Sequence, residues 1–198
     1  MNLKTKAFLF INFILYIAFL TLDLFYGFSQ ISSICKFLIV FNSFLFCSGR
    51  FKIPLFITVL SDLILLFTSY NSLGVAVFSF AHIFYWKQNY KFLPNNLKNK
   101  KKKLFLFSAV FFGIIFLFSP LAVIYLFYAF CFFFNFLSAF YACKKAPSKK
   151  QTLFLIGLFL FALCDVNVVF YNLTDNTLSF YLMWIFYAPS QTFISLSS

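Results

Sequence analysis

Apolar runs of bilayer length follow one another along this chain with little between them. A helix that crosses a hydrocarbon core needs about 20 mostly apolar residues, within a range of roughly 17–25. Such stretches fall at Ala7–Tyr26, Ile31–Cys47, Ile53–Tyr70, Leu73–Tyr90, Leu104–Ser119, Leu121–Ala142, Thr152–Tyr171 and Leu178–Leu196. Their apolar character is continuous rather than alternating, which points away from a barrel. In lipid, a helix satisfies its backbone within its own segment. The expectation is an all-α, polytopic transmembrane bundle of about eight helices, with residues 1–198 forming a single integral membrane domain. Composition agrees, because 63% hydrophobic and only 10% charged residues cannot cover a soluble core of this size. The least secure cut separates the fifth and sixth runs, where "SPL" is the whole connection and Pro120 is able to kink one long helix instead.

Charge placement tests the count independently. Lys4 and Lys6 precede the first run, and Arg50 and Lys52 lie between the second and third. Lys87, Lys91, Lys98 and Lys100 to Lys103 lie at or between the ends of the fourth and fifth runs. Lys144, Lys145, Lys149 and Lys150 join the sixth to the seventh. With eight spans, fifteen of the sixteen basic residues share one side, and the opposite connections "GFSQIS", "NS", "SPL" and "NLTDNT" hold none. The positive-inside rule then places both termini in the cytoplasm of a multi-pass protein of a bacterial inner (plasma) membrane. The net charge of +12 needs no nucleic acid, since "NNLKNKKKK" serves as an orientation signal beside anionic headgroups. The first run has no small-x-small cleavage site after it and reads as a retained helix. The five cysteines form no C-x-x-C pair and read as packed free thiols. The sequence sets no oligomeric state.

Against this apolar background the embedded polar residues stand out. Asp62 lies about 14 Å from the inner end of its run and Asp165 about 20 Å along its own, at 1.5 Å per residue. Asp62 is thus expected near the midplane of a core about 30 Å thick. His82, the single histidine, is about as deep, and Lys36 and Gln191 are also embedded. Ionisable groups at such depth face the bundle interior and mark function by default. Five polar side chains on five helices at compatible depths predict an internal polar cavity. A structural role is the plainer reading of each alone: Asp62 paired with Lys36, or His82 bonded to a carbonyl.

Several chemistries lack their residues. One histidine with scattered thiols is a poor set of zinc ligands. No G-x-S-x-G elbow, G-x-x-x-x-G-K-[ST] loop or G-x-G-x-x-G turn occurs. Neither a metal nor an organic cofactor is expected. Two embedded carboxylates and a histidine suit general acid–base work on a bound substrate and water. They equally suit a proton-coupled transporter or a binder of small lipids.

The order of these residues carries a resemblance. "SDLILLFTSYNSLGVAVFSFAHIFYW" resembles the YhhN family of membrane proteins, which includes the lysoplasmalogenases. That family places a small residue before an Asp in its third helix, then Gly, Phe, His and Tyr along its fourth. Here these are Ser61 and Asp62, then Gly74, Phe78, His82 and Tyr85. "IGLFLFALCDVNVVF" is similar to the family's seventh helix with its second small-Asp pair, here Cys164 and Asp165, and "FYAPSQTFISLS" to its closing Tyr-x-x-x-Gln, here Tyr187 and Gln191. Lys36 falls where the family has a helix-two lysine, and Asp23 where some members have a helix-one aspartate. The departures are small: Ser61 stands for a frequent Gly, Phe37 for a Pro after the lysine, and Cys164 for a Ser. The resemblance covers nearly the whole chain. It implies hydrolysis of the vinyl ether of lysoplasmalogens to a fatty aldehyde and a glycerophospho-ethanolamine or -choline. It implies Asp62, Asp165 and His82 as catalytic residues, and Lys36, Tyr85, Tyr187, Gln191 and Asp23 as substrate-binding ones. The partners would be the lysophospholipid substrate and bilayer lipids.

Overall fold

A computed structural model describes residues 2–27, 29–95 and 119–198. The described part is all-α. Its helices are α1 (Leu3–Tyr26), α2 (Gln30–Phe46), α3 (Lys52–Phe67), α4 (Asn71–Asn89), α5 (Pro120–Lys145), α6 (Lys149–Thr174) and α7 (Thr177–Leu196). The expected fifth run and most of "NNLKNKKKK" lie outside the described residues. Three helices are long and apolar enough to cross a membrane: Leu3–Tyr26, Leu121–Lys145 and Lys149–Thr174. Helix α2 is apolar but shorter, with 17 residues.

Local chemistry sets the boundaries. Asn2, Ser29, Ser119 and Ser148 each accept a hydrogen bond from the amide three residues on, and so open α1, α2, α5 and α6. Ser119 is extended and Pro120 takes the first turn of α5, where a missing N–H costs nothing. The proline therefore opens a helix and does not kink a longer one. Gly27, at φ 67°, ends α1 in a conformation that suits glycine. Asp175 closes α6 at φ 50° and lets α7 turn back two residues later.

Side-chain contacts give the helix directions. Phe8 stacks on Phe46 and Asn12 bonds Ser43, so α1 and α2 are antiparallel. Phe44 meets Phe56 while Phe37 meets Phe67, so α2 and α3 are antiparallel too. Helices α4 and α5 are different. Phe78 meets Tyr128, His82 meets Phe132 and Trp86 meets Phe134, so both numbers rise together and the helices are parallel. The end of α4 and the start of α5 therefore sit at opposite ends of the bundle. Every described basic residue except Lys36 gathers at one end, which holds the start of α1, the α2–α3 link, the end of α4 and the α5–α6 link.

Small residues bring helices close. A Cβ on Gly157 would lie 2.7 Å from Ile194 Cγ1 and 3.0 Å from Ser190 O, so α6 rests on the backbone of α7. A Cβ on Gly74 would lie 2.5 Å from Leu65, and Ser61 Oγ donates to Gly74 O at 2.7 Å across the α3–α4 contact. Pro189 inside α7 has no N–H for the carbonyl of Ile185, and the Tyr16 hydroxyl of α1 donates to that oxygen at 3.3 Å. The interior is rich in polar side chains, while Phe10, Phe25, Leu24, Ile31 and Leu173 are exposed.

Candidate functional site

Helix α3 ends at Phe67, three residues before the expected limit. That leaves Asp62 about 8 Å from the end opposite the basic residues, nearer that end than the midplane position expected. Counted from the same end, Tyr128, Asp165, Tyr187 and His82 lie at about 12, 14, 15 and 16 Å along α5, α6, α7 and α4. Five helices thus deliver polar groups to one level of the bundle.

Each carboxylate is held by a tyrosine from another helix. Tyr187 donates its hydroxyl to Asp62 Oδ2 at 2.5 Å. Tyr128 donates to Asp165 Oδ2 at 2.8 Å. Asp62 is buried, and Asp165 is half-buried. Tyr128 and Cys164 each lie close enough to feel the charge of both carboxylates, so the two Asp residues belong to one electrostatic neighbourhood. Aromatic rings fill the space between. Phe161 lies 5.5 Å from Tyr187 and 5.4 Å from His82, and His82 lies 5.3 Å from Tyr128.

Among the described residues, His82 bonds neither carboxylate, and no carbonyl either. Its Nδ1 lies 3.1 Å from Asn135 Nδ2 of α5. Tyr85 is buried one turn further along α4, between Phe51 and Phe154, with its hydroxyl near Thr58. It borders His82 at 6.5 Å. Gln191 is buried one turn beyond Tyr187 and reaches Ser190 Oγ at 3.5 Å.

Lys36 does not pair with Asp62, which overturns the plainer reading of that aspartate. The lysine pairs with Asp23 instead, Nζ to Oδ2 at 2.7 Å, with both side chains 1% exposed. Ser32 of α2 adds a short hydrogen bond to the other carboxylate oxygen. Trp184, Phe180 and Phe19 surround the ammonium at 4.5, 5.4 and 5.6 Å. Trp184 also touches Tyr187 at 5.7 Å, so one ring separates this ion pair from the tyrosine on Asp62.

Tyr128, Asn135 and Trp184 are the members that sequence reasoning missed. Tyr128 and Asn135 lie two turns apart on one face of an otherwise apolar helix, and that spacing is the available signal. Trp184 gave none, since a tryptophan in an apolar run is ordinary. Among the described residues, no group of three or more His, Cys or carboxylate side chains is placed to hold a metal. The described cysteines are all free thiols, with Cys47, Cys131 and Cys164 buried.

Comparison with protein-family models, with curated proteins and with solved structures finds no match for this chain.

Proposed function

We propose that this chain is an eight-span membrane protein with its basic end in the cytoplasm, and that it hydrolyses the vinyl ether bond of lysoplasmalogens. The observation that carries the proposal is two embedded carboxyl groups, each held by a tyrosine hydroxyl, with Tyr128 within reach of the charge of both. The sequence resemblance to the YhhN family supplies the substrate class. The parallel course of α4 and α5 supports a further crossing between them.

The chemistry matches the two carboxyl groups. One, as the acid, protonates the vinyl carbon distant from oxygen and leaves an oxocarbenium ion. The other, as carboxylate, stabilises that cation and takes a proton from water as it adds. The hemiacetal then collapses to a fatty aldehyde and the free hydroxyl of the glycerophospholipid, so one water is consumed and no cofactor is needed. The tyrosines fix where each carboxyl points. Gln191 and Tyr187 are offered to the water or the headgroup, and Tyr85 to the lipid behind His82. Lys36 is already neutralised by Asp23, so it meets a phosphate only if that pair opens.

The test is to incubate the purified protein with lysoplasmalogen and, separately, with an acyl lysolipid. Aldehyde is expected from the first alone. Asp62→Asn and Asp165→Asn each keep the side-chain shape and remove titration. Each is expected to lower turnover by about 10²-fold or more. The double variant is expected to be little worse, because groups acting as a unit are not additive. Near-normal turnover in Asp62→Asn, measured per folded molecule, would remove the catalytic assignment.

A further inference from the structure

His82 is the single histidine of the chain and is 1% exposed. Asn135 is fully buried beside it, and Ser138 Oγ donates to the main-chain oxygen of Asn135 at 2.8 Å. The amide Nδ2 of Asn135 faces His82 Nδ1 at 3.1 Å. An amide nitrogen only donates, so Nδ1 must accept. An imidazolium would set two donors against each other. With the amide in that orientation, the ring is a neutral imidazole with its proton on Nε2.

That leaves a donor and an acceptor unanswered. Among the described residues, His82 Nε2 has no hydrogen-bond partner, and neither does Asn135 Oδ1. Buried polar groups are rarely left so, because an unmade hydrogen bond forfeits what water would have given. The rings around His82 are those of the candidate site. Tyr128, 5.3 Å away, holds Asp165, and Phe161, 5.4 Å away, packs on the tyrosine that holds Asp62. The unpartnered donor thus belongs to a ring that packs on the tyrosine holding Asp165 and on the phenylalanine beside the tyrosine holding Asp62.

We propose that Asn135 is a positioning residue that locks His82 as the Nε2–H tautomer, and that this N–H donates to a glycerol oxygen of a bound ether lysolipid. The identity of that lipid rests on the vinyl-ether reading. The tautomer does not. Asn135 acts through the ring, as the partner on one imidazole nitrogen dictates what the other offers.

One histidine makes the test direct. Protein labelled with ¹⁵N-histidine in nanodiscs gives a single pair of ring signals. The wild type is expected to carry its proton on Nε2. A saturated 1-alkyl lysophospholipid, which cannot be hydrolysed at a vinyl ether, is expected to move the Nε2 signal and leave Nδ1 nearly in place. Asn135→Asp puts an acceptor against Nδ1 and is expected to move the proton there. Its kcat/KM on lysoplasmalogen is expected to fall by about tenfold or more. Asn135→Leu removes the partner, and a mixture of tautomers is expected. A wild-type proton on Nδ1, or an Nε2 signal unmoved at saturating ether lysolipid, overturns the proposal. So does full turnover in a tautomer-shifted Asn135→Asp. Should Asn135→Asp fail to fold, the leucine variant and the wild-type spectra still decide. A protein that never releases aldehyde, yet shows the Nε2 shift, removes the vinyl-ether reading and keeps His82 as a lipid donor.

Discussion

An ammonium and a carboxylate, 2.7 Å apart and out of contact with solvent, sit where α1 and α2 meet near the end opposite the basic residues. Each charge makes the other tolerable. Removing one partner of a buried pair leaves an uncompensated charge and costs about 3–5 kcal/mol, whereas replacing both by apolar groups is often neutral. Lys36→Met and Asp23→Leu alone are each expected to lower thermal stability in detergent sharply. The double variant is expected to recover most of the loss. The same double variant separates two roles for Lys36. A stable protein with unchanged turnover would make the pair a clasp between helices. A stable protein whose KM rises would keep Lys36 for the substrate phosphate. The ring of Trp184 adds a cation–π contact that an aliphatic side chain could not replace.

At the scale of elements, the site depends on how closely α6 approaches α7, since Asp165 rides on the first and Tyr187 on the second. Gly157 sets that approach. Its missing Cβ would fall within contact-violating range of Ile194 and of the backbone at Ser190, which a rotamer change cannot relieve. Gly157→Ala is expected to destabilise by about 1–3 kcal/mol, as overpacking does. Ile156→Ala, on the exposed face of the same helix, is the control and is expected to leave the melting temperature nearly unchanged. Equal melting temperatures for the two variants would show that α6 and α7 are further apart than described. Serines and asparagines do similar work at the other seam. Asn12 donates to Thr192 at 3.0 Å and accepts from Asn42 at 2.7 Å, and Ser195 donates to Ser43 O at 2.7 Å, which binds α1, α2 and α7 together. Hydrogen bonds of this kind hold helices together where lipid offers no hydrophobic drive.

Across the described residues, Asp23, Lys36, Asp62, His82, Asn135 and Gln191 are buried together with a core of aromatic and aliphatic side chains, while many other leucines, isoleucines and phenylalanines lie outward. An apolar solvent would favour that arrangement, since outward polar groups would lose their hydrogen bonds in lipid. Under the proposed eight-span topology, the charge asymmetry between the two ends would set the orientation. In a chain whose Cys35 and Cys143 are replaced by alanine, Lys145→Cys is expected to react only with a reagent on the cytoplasmic side. Thr177→Cys, at the start of α7 and the opposite end of the bundle, is expected to react only from outside. Labelling of both from one side would remove the eight-span proposal and the orientation with it.

The sequence by itself determined the helical class, most helix limits to within a few residues, and the charge asymmetry. It did so because apolar length and lysine position are local properties that need no partner. Asp62, Asp165, His82, Lys36 and Gln191 were also conspicuous, since a strongly polar group in an apolar run stands out wherever it packs, whereas Tyr187 came only with the family resemblance. The partners were not conspicuous. That Lys36 meets Asp23 and not Asp62, that Tyr128 holds Asp165, and that Asn135 faces His82 all follow from which helix faces touch. Periodicity places a side chain on a face but does not choose the neighbouring helix. The parallel course of α4 and α5 belongs to the same class, because direction is a relation between elements. Tertiary packing chose these pairs physically: a buried donor or acceptor is stabilised by whichever partner the close helix contacts bring within about 3 Å, and among the described residues His82 Nε2 and Asn135 Oδ1 are brought none.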